Sequence, residues 1–164
     1  MSASRSAVRT AIKDWIEAGF ITDLNQVFIS FPKRINFQIN SSAGQLSRAA
    51  GVIFIAEESE ERMAIGGAYN GWKRVDYTID FQIFHHSLEP MPENAMDSFD
   101  TVIDGVKDRL RLGGHTLGLP DGSVIWQAAE PSITAQYGEP ATENGGATET
   151  WAAVRFTVTQ MINA

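Results

Sequence analysis

Between Lys73 and Leu112 the hydrophobic period changes once, from two residues to about 3.6, and that change calls for a strand followed by a helix folded back onto it. In Lys73–His85, Val75, Tyr77, Ile79, Phe81 and Ile83 fall on one side, and Asp76, Thr78, Asp80 and Gln82 on the other. Such alternation describes a strand with one buried face. Ser87–Asn94 holds Pro90 and Pro92, which cannot continue a ladder or enter a helix interior. From Ala95 onward Met96, Phe99, Val102, Ile103, Val106 and Leu110 recur at helical spacing, with Asp97, Asp100, Asp104, Asp108 and Arg111 mainly elsewhere. The segment offers no catalytic group at a telling spacing.

A chain of 164 residues is close to the commonest domain size and can bury a real core, so one domain spanning 1–164 is expected. It has no cysteine, which excludes disulfides and thiolate metal sites but does not decide the compartment. Arg5, Arg9, Lys13 and Asp14 interrupt the N-terminus, unlike the apolar core of a signal peptide. No apolar stretch reaches the roughly 20 residues that span a bilayer. Together these point to a protein made in the cytoplasm, and used there or assembled there into something larger.

The net charge of −7 is unevenly spread. Residues 1–50 carry six basic side chains against three acidic; the rest carry seven against seventeen. An acidic bulk argues against gripping nucleic acid, because phosphate contacts need clustered Lys and Arg. It is compatible with a surface that DNA passes without sticking, and also with nothing more than a solvated exterior.

Ser4–Ala18 reads as a first helix, with Val8, Ile12, Trp15 and Ile16 as its apolar stripe and Gly19 as its stop. Val27–Ile39 alternates on either side of Phe31-Pro32-Lys33, as a hairpin or a broken edge strand would. Ser41–Gly51 reads as a loop and Val52–Ala56 as a short buried strand. Glu57–Glu61, four acids in five residues, reads as a loop. Gly66, Gly67, Asn70 and Gly71 mark a flexible connection into the long strand. Gly113–Gly122 is a turn-rich loop, and Val124–Ala129 and Ser132–Tyr137 are two strands. Glu139–Glu149 lacks an apolar anchor and reads as a mobile loop. Trp151–Met161 closes the chain as a strand with Val154, Phe156 and Val158 inward. The order predicts an α+β fold: two main helices covering a largely antiparallel, mixed sheet in the order α-β-β-α-β-β.

Chemistry-bearing patterns are sparse. His85 and His86 are adjacent, so on a strand their rings point to opposite faces and cannot share a metal; His115 stands alone. Gly113–Gly118 follows a helix rather than preceding one and lacks a phosphate loop's Gly-Lys-Ser/Thr ending. No Gly-x-Ser-x-Gly elbow occurs. Glu57, Glu58, Glu60 and Glu61 lack the ligand rhythm of a calcium loop. The expectation is no catalytic centre, no cofactor and no metal. Trp15 belongs to the helix stripe. Trp72, Trp126 and Trp151 each stand at a strand start, either plugging the rim of the sheet or anchoring a neighbouring subunit.

Several of these segments together resemble the tail terminator family of long-tailed bacteriophages (minor tail protein U-like, or tail-completion proteins). They are the N-terminal helix with Trp15, the strand Gly51–Ile55, the long strand Trp72–Phe84, the Pro turn with helix Asn94–Leu112, and the final strand Trp151–Thr159. The likeness covers most of the chain and is one of element order. Val27–Ser42 is longer than the resemblance implies, and Leu117–Ala135 is unmatched.

The resemblance implies a virion structural protein, not an enzyme. Its members form hexameric rings at the head-proximal end of the tail tube, stop tube polymerisation and join tail to head. The implied partners are other copies of itself, the major tail protein and a head-completion or connector protein. DNA passes through the ring without specific binding, and no membrane is involved. The candidate interface residues are Glu57, Glu58, Glu60 and Glu61, expected to meet Lys33, Arg34 and Arg48 of a neighbouring copy. Glu57–Arg62 and Gly138–Thr150 are the contact loops, and Trp72 and Trp151 the aromatic anchors. A head-closure or connector subunit is the alternative within the class, and a small-molecule-binding or enzymatic α+β domain is the alternative outside it.

Overall fold

A computed structural model describes residues 5–62, 72–112, 116–118, 124–127, 133–142 and 146–163; for 72, 116–118, 124–127 and 161–163 it describes the backbone. The fold is α+β. Helix α1 (Arg5–Glu17) leads into strand β1 (Leu24–Phe28), a single 3₁₀ turn at Ser41–Ala43, and the long strands β2 (Ser47–Arg62) and β3 (Trp72–Ser87). Helix α2 (Pro92–Arg111) follows. Short strands β4 (Thr116–Gly118), β5 (Val124–Gln127), β6 (Thr134–Tyr137) and β7 (Ala141–Thr142) precede the long β8 (Thr148–Asn163).

The sheet runs β1-β2-β3-β8-β5-β4, parallel only between β1 and β2. Strand β3 lies between β2 and β8, so β5, β6 and β7 share the far edge of β8, against Gln160–Val158, Arg155–Ala152 and Glu149–Thr148. Both helices cover one face. Val8, Ile12 and Ile16 of α1 join Phe99, Val102, Ile103, Val106 and Leu110 of α2. Beneath them lie Val75, Tyr77, Ile79, Phe81 and Ile83 of β3 and Val154, Phe156 and Val158 of β8. Burying each large side chain stabilises the fold by roughly 1.5–3 kcal/mol.

The alternation of β3 and β8 appears as expected, and α2 starts with Pro92 in its first turn, where a missing N–H costs nothing. Met96 leaves the stripe: Ala95 takes the buried place one turn before Phe99, and Met96 is exposed. Trp15 is half-buried rather than core, because Arg109 covers it, its guanidinium 3.7 Å from the ring centroid. Arg109 Nε also donates to the Trp15 carbonyl (2.8 Å), satisfying an acceptor at the end of α1.

Five loop and strand expectations need correction. Of the two alternatives for Val27–Ile39, the hairpin is absent and the edge strand is present but shifted: it begins at Leu24, ends at Phe28, lies at the edge of the sheet and pairs parallel to β2. Of the supposed loops, Ser47–Gly51 and all of Glu57–Glu61 are strand, since pairing with β3 runs from Ser47 to Arg62. Cross-strand pairing outweighs the low β-propensity of the glutamates. Thr116–Gly118 is strand β4 inside a predicted loop. Glu139–Glu149 is not free either, because β7 and the start of β8 pair within it. The Gly66–Gly71 connection lies outside the described residues.

Candidate interaction surface

Among the described residues the face of the sheet away from the helices is only partly covered, by one strap of chain. After β1 the backbone leaves the ladder, and Pro32 cannot donate to one. Phe31 rests against Phe54 (centroids 5.8 Å apart, 55° between planes). Phe37 stacks on His86 (5.2 Å, 16°). Gln26 Nε2 and Asn25 Nδ2 donate to the Asn36 and Phe37 carbonyls (3.0 and 3.4 Å), tying the strap back to β1. Ala50 and Val52 alternate with the core residues of β2, yet both are fully buried; the strap accounts for this. Between strap, β3, β7 and β8 lies a cavity of about 590 Å³, lined by Phe84 and Trp151 and by Lys33, Arg34, Glu139 and Glu149.

The uncovered part of this face is a polar ladder. Arg155 grips Asp80 with two hydrogen bonds (2.7 and 2.8 Å) directly across β3 and β8. That carboxylate holds the guanidinium above its ordinary pKa. Asp76 accepts from Arg74 Nε (3.0 Å) and Thr159 Oγ1 (2.5 Å). His86 Nδ1 lies 3.1 Å from Glu149 Oε1 at the end nearest the strap.

A bulge sorts the four predicted glutamates. Ile55 pairs with Ile79 but Glu57 pairs with Thr78, so Ala56 is the extra residue and the facing of β2 reverses there. Glu58 and Glu60 therefore sit opposite Tyr77 and Val75, on the helix side. Glu58 bonds Arg5 of α1 at 2.7 Å and Glu60 bonds Lys73 at 2.7 Å. The Lys73 hydrogen bond lowers the pKa of Glu60, and the Glu58 carboxylate raises that of Arg5. Glu57 and Glu61, opposite Thr78 and Arg74, lie on the strap side. Among the described residues neither forms an ion pair, nor do Lys33 and Arg34, which are exposed on the strap.

Arg48 does not join them. It is half-buried, its Nη2 donates to Gln45 Oε1, and it lines a separate hollow of about 380 Å³ with Ile16, Phe20, Asp23 and Asn25. Trp151 is the fourth residue of β8 rather than its first, 40% exposed, opposite Phe84. Its indole covers Gly138, where a β-carbon would come 2.0 Å from Nε1. Trp72 opens β3 opposite Asn163; Trp126 is the third residue of β5.

One buried polar chain was not visible in the sequence. His85 Nε2 lies 3.1 Å from Ser98 Oγ, whose hydroxyl donates to Asp23 Oδ2 (3.3 Å); Thr150 Oγ1 lies 3.5 Å from His85 Nδ1. Burial, partly offset by Asp23, lowers the His85 pKa to about 4, so the ring is neutral at physiological pH. A serine beside a histidine invites comparison with a nucleophile and its base. Here the carboxylate bonds the serine instead of orienting the imidazole. Ser98 also sits inside α2, where neighbouring N–H groups are spent on the helix and cannot form an oxyanion hole. The cluster ties β3, α2, β8 and the turn before β1 together. The parity of β3 puts His85 in line with Ile83, so its burial could have been read; its partners could not.

Among the described residues no group of three or more acidic or histidine side chains is placed to hold a metal ion. No described helix is long and apolar enough to cross a membrane. His115 lies outside the described residues. No family model matches the chain, and no curated protein matches it.

Proposed function

We propose that the protein is a virion structural subunit, a tail terminator that forms a ring, most simply six-fold, at the head-proximal end of a phage tail tube. It stops tube polymerisation there and joins tail to head. The observation that carries this reading is the arrangement of helix α1, the long β2–β3 pair, helix α2 and the terminal β8 placed beside β3. This is the element order through which the sequence resembles that family. An α+β core with an aromatic-bearing sheet face that the described residues leave partly open suits a subunit that works by contact. Ring closure needs head-to-tail contacts between two different surfaces. Phe20, at a φ of +47° and 90% exposed just past α1, is one candidate anchor.

The reading places the protein in the virion, with the major tail protein below it and a connector protein above. DNA passes an acidic chain that offers little counterion release. The test is to add purified protein to polymerising tail-tube protein. Capped tubes that stop growing at one end support the role; growth at an unchanged rate with no bound ring refutes it. The cavity beneath the strap favours a second reading, a small-molecule-binding domain, in which the added protein leaves tube growth untouched.

A further inference from the structure

We infer that the strap-bearing face of the sheet is a self-complementary docking surface for a second copy of this chain, related by a two-fold axis through the Phe31–Phe54 pair. These rings touch each other and remain 56% and 41% exposed, an apolar centre with solvent on its outer side. Two exposed cations outside any ion pair among the described residues lie to one side of it, in a cavity that Glu139 and Glu149 also line. Lys33 and Arg34 line the cavity shared with Phe84, four residues along β3 from Asp80, the residue opposite Phe54. Anions outside any close ion pair among the described residues lie to the other side: Glu57, within electrostatic reach of Arg155, is opposite Thr78 and Glu61 opposite Arg74, two and six residues from Asp80 in the reverse direction. At about 3.3 Å per residue Phe84, which shares the cations' cavity, stands about 13 Å along β3 from the position opposite Phe54, and the partners of the anions about 7 and 20 Å the other way.

The two charge groups are thus on one face, on opposite sides of an apolar centre. Head-to-tail contacts would need them on different faces. A two-fold rotation lays the cations of each copy on the anions of the other, twice over, and stacks the aromatic pairs at the axis, the pattern of an isologous interface. Such a contact cannot close a cyclic ring. It joins free subunits, or one ring to another, and stands whether or not the tail reading does.

The chain has no cysteine, so the test has no background. Ser30→Cys, beside Phe31, should cross-link with a short bismaleimide to a covalent dimer, while Asp100→Cys on exposed α2 should not. Lys33→Glu with Arg34→Glu sets acids against Glu57 and Glu61 of the other copy; Glu57→Lys with Glu61→Lys sets bases against Lys33 and Arg34. Each double variant should be monomeric by light scattering, and their equimolar mixture should give a one-to-one dimer, which also shows that both are folded. No cross-link at Ser30→Cys, double variants that associate like wild type, or a mixture that stays monomeric would each overturn the inference. A six-fold particle without the Ser30 cross-link defeats this proposal and leaves the terminator reading intact; a cross-linked dimer that never affects tube growth does the reverse.

Discussion

The ring of Phe81 occupies the space that a β-carbon on Gly51 would need: an ideal Cβ there would lie 2.0 Å from Phe81 Cζ. Both residues are fully or nearly fully buried on the helix side of the sheet. Gly51→Ala therefore overpacks the centre of the β2–β3 pair. We expect a loss of about 1–3 kcal/mol in a denaturant melt. An unchanged midpoint would mean that the ring has room to move.

Phe99 anchors α2 to the sheet. It is buried, its ring 5.4 Å from His85 and edge-on to Tyr137 at 6.2 Å. Phe99→Ala should cost about 3–5 kcal/mol. A loss below about 1 kcal/mol would show that the helix does not pack there.

The buried His85 makes stability depend on pH in a definite direction. Its folded pKa of about 4 lies below the ordinary 6.5. As pH falls through 6.5 the unfolded chain takes up the proton first, so the folded state loses ground until about pH 4. At 1.36 kcal/mol per pH unit this amounts to roughly 3 kcal/mol. Wild type should therefore lose that much relative to His85→Gln between pH 7 and pH 4, with the contribution fully present above 6.5. Parallel stability curves for the two proteins would show that His85 is not held neutral.

What could be read in the sequence was whatever repeats with a period. Val75 to Ile83, Phe99 to Leu110 and Val154 to Val158 each carry their own facing, and their burial followed. The α+β class followed from them. The glutamate segment did not: Glu57–Glu61 looks like solvent-exposed loop, and only the opposing strand Lys73–Thr78 makes it β. The bulge at Ala56, which sends Glu58 and Glu60 to one side and Glu57 and Glu61 to the other, leaves no mark in composition. The Asp23–Ser98–His85 chain joins residues up to 75 positions apart, and a local pattern cannot show such a meeting. The strap was half legible: its aromatic residues alternate, but the face they cover depends on where β1 ends.

Protein dialysed against buffer should carry no stoichiometric zinc. Replacing His86 and His115 by Gln should leave its association unchanged. Zinc retained in wild type and lost in the double variant would require a metal site and a different account of the chain.

The most direct measurement is genetic. The gene is deleted from the phage that carries it, the lysate is imaged by electron microscopy, and tail lengths are counted. The account predicts overlong or headless tails, restored to uniform length and joined to heads when the protein is supplied in trans. Tails of normal, uniform length attached to heads in the deletion strain would contradict it.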